Sequence, residues 1–162
     1  MVAYREVQRF RETTLCWAVV ALHLQTLLFA AVVVLGGGAS VVETAVVCLA
    51  LTLPLVPVAA LSLVTEVDEE DGVVRIRIAP FPWTRTIPLA DLAAVEPVDD
   101  FSVLDASLGV DSLLPWRESA TYCLATPEGV SIRLRDRREI RLGSRQPAEL
   151  LGRLDRFGTR RT

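Results

Sequence analysis

Between Thr14 and Val64 the chain carries one formal charge, Glu43. The rest of that stretch is apolar, cut once by Gly36-Gly37-Gly38-Ala39-Ser40. Each half offers about the 20 apolar residues that a helix needs to cross a bilayer core of ~30 Å. The first half, Thr14 to Leu35, exceeds the roughly 7–15 apolar residues of a signal peptide, and a second apolar run follows at once. The expectation is a hairpin of two membrane helices over 14–64, with spans at about 14–35 and 41–61. Arg5, Arg9 and Arg11 precede the first run, and the connecting loop holds no basic residue. The positive-inside rule then places residues 1–13 in the cytoplasm. Two crossings return residues 65–162 to the same side, giving a two-pass protein of the cell membrane with both termini cytoplasmic.

Residues 1–13 admit two readings. Tyr4, Val7 and Phe10 recur at a helical spacing, as in an amphipathic turn lying at headgroup level. The other reading is a frayed basic tail. Inside the spans, His23, Gln25, Thr44 and Thr52 are candidates for helix–helix contact. Thr52 falls at about the depth of His23, which permits a hydrogen bond across the hairpin. His23 and Gln25 lie two positions apart, roughly 200° around a helix. They cannot share one partner, so one of them should meet a second copy, as a homo-oligomer, or another protein. Pro54 and Pro57 each remove a backbone donor and should kink or end the second helix. Cys16, Cys48 and Cys123 make no disulfide framework, because the first two differ in depth by roughly 17 Å at ~1.5 Å per residue.

Beyond Val64 the apolar period changes to two. Leu61–Val67, Val73–Ala79 with Val74, Ile76 and Ile78 on one face, Trp83–Leu89 and Ala90–Val98 read as strands. Asp68-Glu69-Glu70-Asp71-Gly72 and Pro80-Phe81-Pro82 are the turns between the first three. Phe101 to Ser119 fits neither period and reads as a loop covering the sheet or resting on the membrane. Thr121–Ala125, Val130–Leu134 and Glu139–Leu142 complete seven strands. Pro147 then opens a helix with Leu150, Leu151, Leu154 and Phe157 on one face.

Gly72-Val73-Val74-Arg75-Ile76-Arg77-Ile78 through Ile87-Pro88-Leu89-Ala90-Asp91-Leu92, and Gly129-Val130-Ser131-Ile132-Arg133-Leu134 into Ile140-Arg141-Leu142-Gly143-Ser144-Arg145-Gln146-Pro147, resemble the prokaryotic membrane-anchored proteins with a pleckstrin-homology-like (PH-like) domain. The opening Tyr4-Arg5-Glu6-Val7-Gln8-Arg9-Phe10 is similar to theirs as well. That family has a glycine–aromatic–glycine stretch in the middle; here only Ser107-Leu108-Gly109-Val110 stands in its place. The resemblance implies an α+β fold: a transmembrane hairpin, then a seven-stranded curved sheet or barrel capped by a C-terminal helix. It implies no catalytic residue.

Charge is unevenly spread. Residues 66–118 hold 12 acids and 4 arginines, whereas 130–162 hold 10 arginines and 4 acids. Arg133, Arg135, Arg137, Arg138, Arg141 and Arg145 form a candidate surface for a partner or for anionic lipid. All 17 basic residues are arginine, which excludes P-loop and Schiff-base lysine chemistry. The single histidine lies inside a span and serves neither a triad nor a zinc site. No enzyme, metal or cofactor is expected, and the lack of aromatics among the arginines speaks against nucleic acid. The expectation is a membrane-anchored binding or scaffolding module with a protein partner. The acidic first turn would repel an anionic headgroup. A lipid-binding module and an accessory subunit of a transporter are the alternatives.

Overall fold

A computed structural model describes residues 2–99, 101, 119–124 and 126–158, and the chain divides into two compact units. One comprises Phe10–Leu61; the other joins Met1–Arg9 to Ser62–Thr162.

The helical unit begins with a 3-10 turn, Phe10–Glu12. Thr13 then caps helix α1 (Thr14–Gly36), its hydroxyl accepting from the Cys16 N–H at 3.1 Å. α1 is long and apolar enough to cross a membrane. It ends in the glycine run, where Gly38 takes φ +85°, open to glycine at little cost. Ser40 and Glu43 form a capping box at the start of α2 (Val41–Thr52), each side chain accepting from the other's backbone N–H. Pro54 separates α2 from α3 (Leu55–Ala59). Leu53 and Pro54 nevertheless keep helical angles, and Ala60 N–H still donates to Val56 O at 3.1 Å. The second arm is thus a helix interrupted where proline lacks its donor. α1 and α2 pack on each other. Away from that contact α1 exposes large apolar residues, including Leu28 at 68% and Phe29 at 70%.

Among the described residues, the other unit is built from eight strands and one helix. Its first strand, β1 (Val2–Arg9), corrects the expectation for residues 1–13 as a segment apart. β1 pairs antiparallel with β2 (Ser62–Asp68), from Arg9 opposite Ser62 to Val2 opposite Asp68. The domain is therefore discontinuous in sequence, with the apolar helices inserted between two paired strands. β3 (Val73–Ala79) and β4 (Trp83–Pro88) extend this sheet in the order β1-β2-β3-β4. A 3-10 turn at Leu89–Asp91 then redirects the chain, with Leu89 N–H bonded to Gly72 O at 2.8 Å. β5 (Leu92–Val98), β6 (Ser119–Tyr122), β7 (Gly129–Leu134) and β8 (Glu139–Gly143) form a second sheet, ordered β5-β7-β8-β6. The expected strands from Leu61 to Leu142 all appear within a few residues of their positions. They are split between two four-stranded sheets, and no ladder closes them into a barrel among the described residues.

The core comprises Leu63, Val67, Val74, Ile76, Ile87, Leu89 and Leu92 with Val130, Ile132, Ile140 and Leu142. Helix α4 (Pro147–Gly158) adds Leu150 and Leu154, both fully buried and together contributing about 3–6 kcal/mol. β6 runs parallel to β8, so the chain from Cys123 to Glu128 must cross the end of β8 to reach β7. Two glycines permit that crossing. A Cβ on Gly143 would collide with the Cys123 side chain, and one on Gly129 would strike Leu142 O and lie 2.8 Å from both Gly143 Cα and Phe101 Cε2. Phe101 is buried, its N–H bonded to Pro127 O at 3.0 Å. Residues 102–118, including Ser107-Leu108-Gly109-Val110, lie outside the described residues, as do Arg160 and Arg161.

Candidate functional site

The arginine-rich strand pair is exposed where expected. β7 and β8 alternate, so Ile132, Leu134, Ile140 and Leu142 point inward while Arg133 and Arg141 point out. The turn Arg135–Arg138 joins them, with Arg137 in the left-handed region at φ +71°. Much of the charge is matched locally. Arg141 Nε lies 2.9 Å from Glu139, Arg138 2.6 Å from Asp136, and Arg133 4.0 Å from Glu96. The Arg138 hydrogen bond holds the Asp136 carboxyl below its ordinary value, and Arg141 does the same for Glu139. Arg145 lies beyond β8, its backbone N–H donating to Glu6 Oε1 at 2.8 Å.

The acidic first turn is also engaged within the domain. Asp68 Oδ1 accepts from Glu70 N–H at 3.1 Å and Asp71 N–H at 3.3 Å, and these bonds, Asp71's foremost, lower its pKa. Arg75 pairs with Asp71 and approaches Asp68 at 3.9 Å, while Arg153 of α4 reaches Glu69 at 3.4 Å. In mid-sheet, Glu66 is buried between Arg5 at 3.3 Å and Arg77 at 3.8 Å.

In the helical unit, His23 Nε2 lies 3.1 Å from Thr52 Oγ1, and Thr52 also donates to Cys48 O at 2.8 Å. Thr44 is buried and donates to Ser40 O at 3.0 Å. Gln25 is exposed on a different face of α1. The cysteines are free, and Cys123 Sγ donates to Thr126 O at 2.7 Å.

A buried polar cluster escaped sequence reasoning altogether. The inward face of β1 is Tyr4, Glu6 and Gln8 rather than an apolar row. The Glu6 carboxylate accepts from Tyr4 Oη, from Ser144 Oγ at 2.7 Å, from Arg145 N–H at 2.8 Å and from Gln8 Nε2 at 3.3 Å. Gln8 Nε2 also donates to Gly143 O at 2.7 Å, and its Oε1 accepts from Leu124 N–H at 3.0 Å. Burial, reinforced by Glu6, raises the Tyr4 pKa above its ordinary value. The available signal was a period-two run of hydrogen-bonding residues, Tyr4, Glu6 and Gln8, with Arg5 and Val7 between them.

The hydroxyl groups of this cluster are taken up within it. Ser144 is fully buried, donates to Glu6 and accepts from Gln146 N–H at 3.0 Å. What the cluster does is fasten the N-terminal strand to the β8–α4 junction. A second polar contact joins the sheets: Arg85 Nη1 of β4 donates to Tyr122 Oη of β6 at 2.8 Å, and the Trp83 ring lies 5.5 Å from that of Tyr122. Burial raises the Tyr122 pKa, with Arg85 opposing it. Among the described residues, no group of three or more His, Cys, Asp or Glu side chains could hold a metal ion. No protein-family model, curated protein or solved structure matches the chain.

Proposed function

We propose that this protein is a membrane-anchored binding module: a two-pass helical hairpin in the cell membrane that holds a PH-like β domain at the cytoplasmic face, where it engages a protein partner. The observation that carries this reading is the pairing of β1 with β2. The chain leaves one strand at Arg9 and resumes its neighbour at Ser62. Strands that share hydrogen bonds lie on one side of a bilayer, so the inserted segment crosses an even number of times. If α1 crosses, the second arm must return. Val41 to Ala59 at 1.5 Å per residue spans about 28 Å, close to the thickness required. Arg5, Arg9 and Arg11 favour a cytoplasmic domain. Two sheets followed by a helix agree with the element order of the PH-like resemblance. Asp68, Glu69 and Asp71 pair within the domain, as do Arg133, Arg138 and Arg141, which weakens the pull on an anionic headgroup and favours a protein surface. A second reading, contact with anionic lipid, draws on Arg135 and Arg137, which have no carboxylate partner among the described residues.

Phe10 N–H donates to Leu61 O at 2.9 Å, the geometry that flanks a two-residue hairpin turn. Replacing Arg11–Ala60 by Asn-Gly should therefore yield a folded, water-soluble β domain, while the full chain resists extraction by alkaline carbonate. Release of the full chain by carbonate would refute the anchor. The excised domain, once shown to be folded, should recover a saturable protein partner from cell extract and ignore phosphatidylglycerol vesicles at physiological salt. Binding to those vesicles without a protein partner would replace the first reading by the second.

A further inference from the structure

We infer that α1 docks against α1 of a second copy of this chain, along a seam of Ala18, Leu22, Gln25, Phe29 and Val32 centred on Gln25. The inference rests on the reading that α1 crosses a bilayer. Those five positions follow one another by four, three, four and three, the spacing that keeps a stripe facing a parallel partner helix. All five are exposed, with Leu22 at 66%, Phe29 at 70% and Val32 at 63%. The face toward α2 is a different one: Cys16, Val19, His23, Leu27, Ala30 and Val34 are among the less exposed positions, and His23 meets Thr52 there.

Gln25 is the polar side chain this leaves over. His23, Thr26, Thr44 and Thr52 each hydrogen-bond within the helical pair. Gln25 hydrogen-bonds to no described residue and stands at the midpoint of the 23-residue helix. In a bilayer that is the depth farthest from water. A carboxamide without a partner there loses several kcal/mol, so something polar at the same depth must face it.

A second copy meets that requirement without further assumption. The topology gives every copy the same orientation, so a two-fold axis along the membrane normal brings Gln25 to Gln25 at equal depth. The amide carries both a donor and an acceptor, and two of them satisfy each other reciprocally. Ala18, a heptad earlier, is small and lets the helices approach. Leu22, Phe29 and Val32 supply apolar packing on either side, and the seam holds no charge to oppose its own image.

The test uses full-length protein in phosphatidylcholine vesicles, with donor- and acceptor-labelled populations mixed at increasing lipid-to-protein ratios. Energy transfer should report a dimer that dissociates on dilution in lipid. Gln25→Leu should raise its dissociation constant by about tenfold to two-hundredfold, at roughly threefold to fifteenfold for each of the two interhelical hydrogen bonds lost. Gln25→Asn keeps the amide and should stay closer to wild type. His23→Leu alters the opposite face and should leave the transfer as it was. No transfer in the wild type, an unchanged dimer in Gln25→Leu, or an equal loss in His23→Leu would overturn the inference. A chain that carbonate releases removes the bilayer reading and this inference with it. One that stays in the membrane as a monomer removes this inference alone.

Discussion

Replacing Gln8 by leucine keeps most of the side-chain volume and deletes its hydrogen bonds. Gln8 is 1% exposed, so water cannot take over. Leu124 N–H would lose its acceptor at 3.0 Å, and Gly143 O its donor at 2.7 Å. A buried polar group left without a partner costs about 1–3 kcal/mol, so the pair predicts a loss of about 2–6 kcal/mol. That is a large share of the 5–15 kcal/mol that holds a typical domain together. The loss should also be local. β1 is an edge strand, and Gln8 ties it to the second sheet, so amide exchange should accelerate first in Arg5–Arg9 and in the β2 residues opposite them. The assay is urea unfolding of the purified protein by tryptophan fluorescence, with hydrogen exchange alongside. Arg5→Ala is the control, because its ion pair with Glu66 is exposed on the arginine side and contributes at most about 1 kcal/mol. A Gln8→Leu protein within about 0.5 kcal/mol of wild type, or with β1 exchanging as before, would show that the cluster is not what holds the strand.

Gly143→Ala should cost about 1–3 kcal/mol by overpacking, and Cys123→Ala should recover part of that loss in urea unfolding, since Cys123 is the obstacle. Gly129→Ala should cost as much or more and gain nothing from Cys123→Ala, because there a new Cβ meets the Leu142 carbonyl. In alkali, a phenol whose folded pKa is raised contributes stability that is fully present below its unfolded value near 10, and is lost as pH rises beyond that value. The urea midpoint should thus fall from about pH 10 upward, less steeply in Tyr4→Phe, with the remaining slope owed partly to Tyr122.

Hydrophobic periodicity exposed the parts of this chain that bury apolar rows and missed those that bury polar ones. Val74 and Ile76 alternate with Arg75 and Arg77, and β3 stands there; Leu150 and Leu154 sit a helical turn apart after Pro147, and α4 stands there. β1 defeats the same rule. Its inward residues are Tyr4, Glu6 and Gln8, while Tyr4, Val7 and Phe10 imitate a helical stripe. The partners that make burial of those groups affordable lie more than a hundred residues away, at Leu124, Gly143 and Ser144. No local pattern could supply them. The parallel pairing of β6 with β8 is equally non-local, and its one trace in the sequence is the pair of glycines, 129 and 143, that face each other in the ladder. The candidate arginine surface was legible as exposed positions, but the pairing of Arg133, Arg138 and Arg141 with Glu96, Asp136 and Glu139 depends on register and side-chain geometry.

The inserted helices pose an energetic problem for β1 that the polar cluster answers. Pairing β1 with β2 closes a loop of roughly fifty residues, and for a flexible loop the length-dependent part of that closure is about 3.5 kcal/mol. Ordering an eight-residue strand adds about 1–2 kcal/mol per residue. Here the loop is not flexible. α1 and α2 pack together, His23 bridges to Thr52, and the Phe10 N–H to Leu61 O bond holds the two ends of the segment side by side. Closure is therefore met by assembly of the helical unit, and β1 carries only the cost of its own ordering. That cost is opposed by its ladder to β2 and by the bonds of Tyr4, Glu6 and Gln8 to the β8–α4 junction. A strand with an apolar inner face could dock in shifted registers. One whose every second side chain needs a particular distant donor or acceptor docks in one register, the one that sets Arg9 opposite Ser62.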